Sequence, residues 1–398
     1  MTPTALTIRV EPSLASLSQV DWDTCARGLE PASLPNPFVS YAFLHALEVS
    51  GCTGARTGWS PAHVLVEKAD GELLAAAPCY LKTHSQGEYV FDHGWADAFE
   101  RAGGQYYPKL QVSAPFSPVT GPRLLVKAGA DTATVEQALI KGLRLVRDRA
   151  GASSVHITFS TEREWKALGD QGFLQRLDQQ FHWKNAQYAS FEAFLETLAS
   201  RKRKNIRKER ASALNNGISV ERLTGADITE AHWDAFFAFY VDTSNRKWGR
   251  PYLNRRFFFE IGQSMADQIV LIMAKRAGKY IAGAINFIGN NVLFGRNWGC
   301  IEDHPFLHFE VCYYQAIDFA IERGLGCVEA GAQGEHKLAR GYMPTTTYSA
   351  HDIADPQLRR AISDYLERER LHVAAMHDTL TAEGPYRQTD QSQNKDNT

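Results

Sequence analysis

Most of the features that reveal a function early are missing from this chain. Its six cysteines, at 25, 52, 79, 300, 312 and 327, form no CxxC pair. That excludes a disulfide framework or zinc ribbon and reads as reduced thiols in the cytoplasm. No GxSxG elbow, Walker loop or GxGxxG is present, which argues against hydrolase, kinase and dinucleotide readings. No apolar run reaches the roughly 20 residues needed to span a bilayer. The opening MTPTALTIRV lacks a basic segment followed by an apolar one, so no secretory signal is visible. Strong net charge is missing too: the formal balance is −2, against a surface that binds nucleic acid all over but not against a local basic patch.

What is present is an ordinary globular composition, 44% apolar and 22% charged over 398 residues, enough for two domains with sizeable cores. The same order of elements occurs twice. Val64–Leu81 and Val270–Ile288 each read as two apolar strands joined by a turn, at Asp70-Gly71 and at Ala277-Gly278-Lys279. A third strand is expected at Glu88–Asp92 and at Val292–Trp298. A helical apolar stripe follows in each half (Val135, Leu139, Leu143; Val311, Tyr314, Ile317), then a strand, Ser154–Phe159 or Leu325–Val328. Meander, helix, strand, used twice, implies two similar α/β domains, 1–185 and 186–355. Pro356 opens a terminal helix through 382, and the polar stretch 383–398 reads as a disordered tail. Thr161 with Glu164 predicts a capping box, and Trp233, Phe236, Phe237 and Tyr240 predict a helix.

Between the halves lies a dense basic run, RKRKNIRKER (Arg201–Arg210), inside a helical pattern expected over 190–216. Arg203 and Arg207 share a face with Arg210, and Lys204 lies beside them. The bland reading is a solvated charged face. The functional one is a clamp for an anionic partner: phosphates of a donor (Arg203, Lys204, Arg207), tRNA, or an anionic membrane surface.

The segment Glu329–Pro344 (EAGAQGEHKLARGYMP) holds the densest set of reactive groups, framed by Gly331, Gly334 and Gly341. It follows a strand, where α/β folds place ligands. His336 can accept a proton near neutral pH, and Glu335 can do so if partly buried. Lys337 and Arg340 can hold an anion or steady developing negative charge; Gln333 is a further substrate-binding candidate. A hydrated turn is the alternative for this triplet. Arg296 and Asn297, near the end of the preceding strand, are candidates for lining the same cleft. In the first half, Asp92, Tyr107 and Lys109 fall in a long Gly-containing connection that reads as substrate recognition. His304 and His308 stand at i and i+4, but no further ligand has metal spacing, so no metal is assigned.

Three stretches, YYPKLQVSAPFSPVTGPRLL (Tyr106–Leu125), SRKRKNIRKERASALNNGI (Ser200–Ile218) and EAGAQGEHKLARGYMP, together resemble the FemAB-like branch of the GNAT acyltransferase superfamily, whose bacterial members are often labelled peptidoglycan biosynthesis or recognition proteins. The resemblance runs from about Asn36 to the terminal helix. It implies two tandem GNAT-like domains, each a mixed, largely antiparallel sheet flanked by helices. It also implies metal-independent acyl transfer to an amine. In Fem-type relatives the donor is aminoacyl-tRNA and the acceptor a muropeptide precursor; typical GNAT enzymes use acyl-CoA. The chain departs from the acyl-CoA pattern: where a Gly-rich loop normally cradles pyrophosphate at a helix start, it reads EDHPFLHFEV (Glu302–Val311), without glycine. The implied reaction has an amine attacking an ester or thioester carbonyl while His336 or Glu335 takes the proton and Arg340 or Lys337 steadies the acceptor or oxyanion. The competing reading is a non-catalytic binding protein for cell-wall precursor or tRNA.

Overall fold

The computed structural model describes residues 6–28, 35–247, 249–331 and 334–387. The first half opens with β1 (Leu6–Glu11), α1 (Gln19–Arg27), α2 (Tyr41–Val49) and the short β2 (Trp59–Pro61). The expected hairpin follows as β3 (His63–Lys68) and β4 (Leu73–Ala77), then β5 (Cys79–Lys82), α3 (His93–Arg101), β6 (Lys109–Val112) and β7 (Leu125–Val126). The half closes with α4 (Thr132–Arg149), β8 (Ser154–Ser160), α5 (Glu162–Asp170) and β9 (Leu174–Lys184). Thr161 caps α5 with the reciprocal Glu164 bonds of a capping box.

In the second half α6 (Phe191–Glu196) and α7 (Ser200–Ala213) precede β10 (Ile218–Thr224), α8 (Glu230–Lys247) and α9 (Arg255–Ser264). The second hairpin is β11 (Ile269–Arg276) and β12 (Lys279–Ile288), followed by β13 (Val292–Cys300). A helical stretch comes next: α10 (Leu307–Phe309), a π-helical turn (Glu310–Tyr314) and α11 (Gln315–Glu322). β14 (Cys327–Glu329), a 3-10 segment (Glu335–Arg340), β15 (Met343–Ile353) and α12 (Pro356–Ala382) complete the chain. No helix among the described residues is long and apolar enough to cross a membrane.

The repeat is real, but the halves do not remain apart. Each contains a parallel pair, β6 with β8 and β13 with β14. Each half then gives its last strand to the other: β9 pairs with β14, β15 pairs with β8, and β9 and β15 pair with each other. The result is one eleven-stranded sheet, β10-β11-β12-β13-β14-β9-β15-β8-β6-β5-β2, beside a four-stranded one, β1-β3-β4-β7. One core cluster spans both halves, with Trp22, Phe38 and Phe43 of the first against Phe257, Phe287 and Phe294 of the second. Strands β8 and β11 are buried along nearly their whole length, as expected where both sheet faces are covered.

Three expectations are corrected. Glu88–Asp92 is not a strand. Tyr89 sits at φ +60°, a left-handed backbone that interrupts an extended strand, and Glu88 and Asp92 are bound instead to Lys109; β6 takes the third-strand role. The basic segment is two helices, not one. They break at 197–199, where Ala199 N–H donates to Pro385 O and Leu198 bridges Tyr386. The same contacts correct the tail: 384–387 is ordered because Pro385 and Tyr386 pack back, the Tyr386 hydroxyl donating to Gly341 O at 2.9 Å. Residues 388–398 lie outside the described residues.

Candidate active site

The second half's parallel pair is held only at Val292–Phe294 against Cys327–Glu329 and parts beyond it. The cause is local. Against β12, Ala284 pairs with Trp298 and Asn286 with Gly295, so two residues, Arg296 and Asn297, oppose Ile285 alone. This β-bulge takes them out of the ladder and re-aims the strand. Gly295 lies against the backbone of Glu329 and Ala330, where a Cβ would meet Glu329 O at 3.4 Å and Asn286 Oδ1 at 3.2 Å. A side chain there would press the parting strands.

The two faces of the opening differ. On the first-half face Arg296 donates to Phe116 O at 2.9 Å, and Glu329 is 7% exposed with its Oε2 lacking a partner among the described residues. Burial pushes the Glu329 carboxyl up to about 7, against the pull of the Thr120 backbone, Lys184, Arg296 and Arg123. On the helical face is an inner cavity of about 70 Å³ lined by Asn286, Arg296, Trp298, Cys312, Tyr313 and Ala330 among others. Trp298 and His308 also line an outer cavity of about 340 Å³, bounded by Arg246, Glu302, Asp303 and Phe306. The π-turn sets Cys312 and Tyr313 into the inner wall, a common use of such turns. Its buried Glu310 is fixed by Arg210 at 2.9 Å and Gln315 at 2.7 Å.

The residues singled out in the sequence fall into several places. His336 is exposed, and its Nε2 lies 2.9 Å from the Tyr313 hydroxyl, at the cavity wall; burial and the neighbouring Arg340 and Lys337 lower its pKa. Lys337 is 2% exposed and donates to Gly331 O at 2.9 Å, with burial bringing its pKa down to about 8. Arg340 is committed internally: it donates to Glu209 at 2.9 and 3.0 Å and to His336 O at 2.6 Å, and stacks 3.5 Å from the Phe309 ring. The Glu335 side chain and Gln333 lie outside the described residues. Arg296 and Asn297 are the bulge itself.

Asp92 and Lys109 are buried in a sealed ion network with Glu88, Ser85 and Tyr106, and Tyr107 bonds Ser85 at 2.8 Å. Of the basic helix, Arg210 turns inward to Glu310 and Asp318 and leaves the face it was expected to share. Arg207 pairs with the exposed Glu192. Lys204 stays exposed and Arg203 half-buried. The residues the sequence hid are Glu329, His182 and Tyr313. Glu329 opens the recognised motif, yet its place at the end of β14 makes it look like a strand residue.

A repeated hairpin, helix and parallel pair, the second pair parting beside a cavity, defines a tandem GNAT-like fold. A solved structure described as FemX superposes with TM-score 0.55 at 12% identity, covering 87% of this chain and 98% of that one. One described as L-PGS from Bacillus licheniformis gives 0.48 at 11%, covering 81% and 95%. No curated protein sequence matches. The FemAB-like family, described as peptidoglycan biosynthesis/recognition, matches residues 13–388. The chain belongs to the FemAB-like family.

Proposed function

We propose that this protein is an N-acyltransferase that moves an acyl or aminoacyl group from an activated ester or thioester to an amine, with a peptidoglycan precursor as the acceptor. One observation carries the reading. A buried carboxyl, Glu329, whose Oε2 has no partner among the described residues, ends β14 where the parallel strands part, on the sheet face opposite the cavity that the next residue, Ala330, lines. With its pKa at about 7, it is divided between acid and base near neutral pH, the condition for taking a proton from an attacking amine and returning it to the leaving group. Arg296 and Lys337 supply positive charge to a developing oxyanion. His336 acts on the inner cavity through Tyr313, and Glu335 is retained as a second acid–base candidate.

The donor is acyl-CoA or aminoacyl-tRNA. Its phosphates are assigned to Arg203, Lys204 and Arg207, because the loop before the helical stretch that α10 opens carries the carboxylates Glu302 and Asp303 and no glycine, with Phe306 at φ +64° just before the first turn, a poor cradle for pyrophosphate. An anionic membrane surface is a second partner for that helix. Cytoplasmic donors place the reaction in the cytoplasm.

The test is Glu329→Gln, assayed with a panel of acyl and aminoacyl donors and amine acceptors. Transfer falls by about 10² to 10⁴ with the unfolding midpoint retained. Full activity in the variant overturns the assignment, and wild-type binding without turnover across the panel favours the non-catalytic reading.

A further inference from the structure

Strand exchange places a first-half histidine opposite Glu329. His182 on β9 is the register partner of Glu329 on β14, and its Nδ1 lies 3.9 Å from Glu329 Oε1. Behind it stands Gln180, 1% exposed, whose Nε2 donates to Pro118 O at 2.8 Å. A carbonyl oxygen only accepts, so this bond fixes which end of the amide is nitrogen. Gln180 Oε1 therefore faces His182 Nε2, at 3.1 Å. An amide oxygen also only accepts, so Nε2 must carry the imidazole proton. Nδ1 is left as a bare lone pair on the side of the ring 3.9 Å from Glu329 Oε1.

We propose that Gln180 and His182, carried into the second half by β9, are positioning residues that shift Glu329 toward its proton-bearing form by locking the imidazole as the Nε2–H tautomer. A lone pair facing a carboxyl favours its protonated form, which can donate, and repels its ionised form. Among the described residues, the charged groups facing Glu329 are cations that work the opposite way: Lys184 on β9, Arg296 on β13 and Arg123 from the first-half loop, joined by the Thr120 backbone. His182 stays neutral because burial, with Lys184 and Lys337 nearby, holds its pKa to about 3. Glu329 Oε1 thus lies 3.9 Å from His182 Nδ1, and Oε2 has no partner among the described residues.

The catalytic consequence rests on the reading of Glu329 given above. Near pH 7 Glu329 is divided between its two forms, and in the ionised one it takes one proton from the attacking amine while the new C–N bond forms and the C–O or C–S bond of the donor breaks. The same proton then passes to the departing oxygen or sulfur. His182 gains and loses nothing; it sets the pH at which Glu329 is ready.

The test uses the full chain and needs no substrate. The ¹⁵N spectrum of histidine-labelled protein shows His182 as the Nε2–H tautomer from pH 5 to 9. A ¹³C titration of glutamate-labelled protein, with Glu329 assigned by its loss in Glu329→Gln, gives a midpoint near 7. In Gln180→Leu the ring is released to the Nδ1–H form, which donates to the carboxylate, and the Glu329 midpoint falls by about one pH unit, a tenfold change in acidity. An Nδ1–H tautomer in the wild type overturns the proposal, as does an unchanged or raised midpoint in a folded Gln180→Leu. If Glu329→Gln keeps full transfer activity while these titrations come out as expected, the function reading fails and the tautomer assignment stands.

Discussion

The contact between Glu209 and Arg340 joins the basic helix to the Glu329–Pro344 motif, and its strength can be worked from the structure. The Arg340 side chain is 8% exposed and that of Glu209 17%. The pair is close to both carboxylate oxygens, and Glu209 also accepts from the Tyr314 hydroxyl. Replacing Glu209 by Gln keeps the shape and one acceptor oxygen but leaves a largely buried guanidinium without the counter-charge, held by that amide, His336 O and the Phe309 face. Removing one partner of such a pair costs about 3 kcal/mol, most of it from the charge left behind. Arg340→Met removes that charge and keeps much of the stem packing, so the double variant recovers part of the loss. A double-mutant cycle from urea unfolding then gives a coupling of about 2 kcal/mol. Hydrogen exchange in 335–340 rises in Glu209→Gln, because the 3-10 segment loses its tether. Coupling below about 0.5 kcal/mol, or unchanged exchange, would refute the claim that α7 holds the motif in place.

Stability should fall as pH drops below 6.5. Burial holds His156 and His182 to about 3 and His351 well below its ordinary value, so between about 3 and 6.5 the unfolded chain binds protons the folded one does not. Each such histidine removes up to about 1.4 kcal/mol per pH unit. Glu329, raised to about 7, opposes this between its unfolded value and 7, so urea midpoints rise with pH from 5 to 6.5 with a slope below that of three histidines. A flat profile contradicts the neutral assignment. Lys109→Met leaves Glu88 and Asp92 buried with Lys82 3.5 Å from Glu88 as the remaining ammonium. It should destabilise by about 3 to 5 kcal/mol in chemical unfolding, and a change under about 1 kcal/mol would show that the network is not sealed.

Much of the fold is legible in the residues themselves. Apolar runs around Gly71 and Gly278 specify the two hairpins, and Thr161 with Glu164 specifies a helix start. These signals act over a few residues, so the sequence contains them whole. The expected strand at 88–92 breaks at the left-handed backbone of Tyr89, and the segment is held instead by Glu88 and Asp92 on Lys109, about twenty positions away. The continuous basic helix fails for a like reason: Pro385 and Tyr386 return to fill its break. Arg210 sits in a run of cations, yet its partners Glu310 and Asp318 lie a hundred residues further on.

The sequence by itself determined a repeated α/β architecture, its family resemblance and a reactive segment at the end of a strand, because periodicity, turns and motifs are local. The tertiary structure alone decided which groups meet. Exchanged strands set His182 and Gln180 beside Glu329, a two-residue bulge parted β13 from β14, and burial moved the carboxyl toward neutrality. Pairing between strands far apart in the chain, and the desolvation it brings, leaves no mark on the spacing of residues.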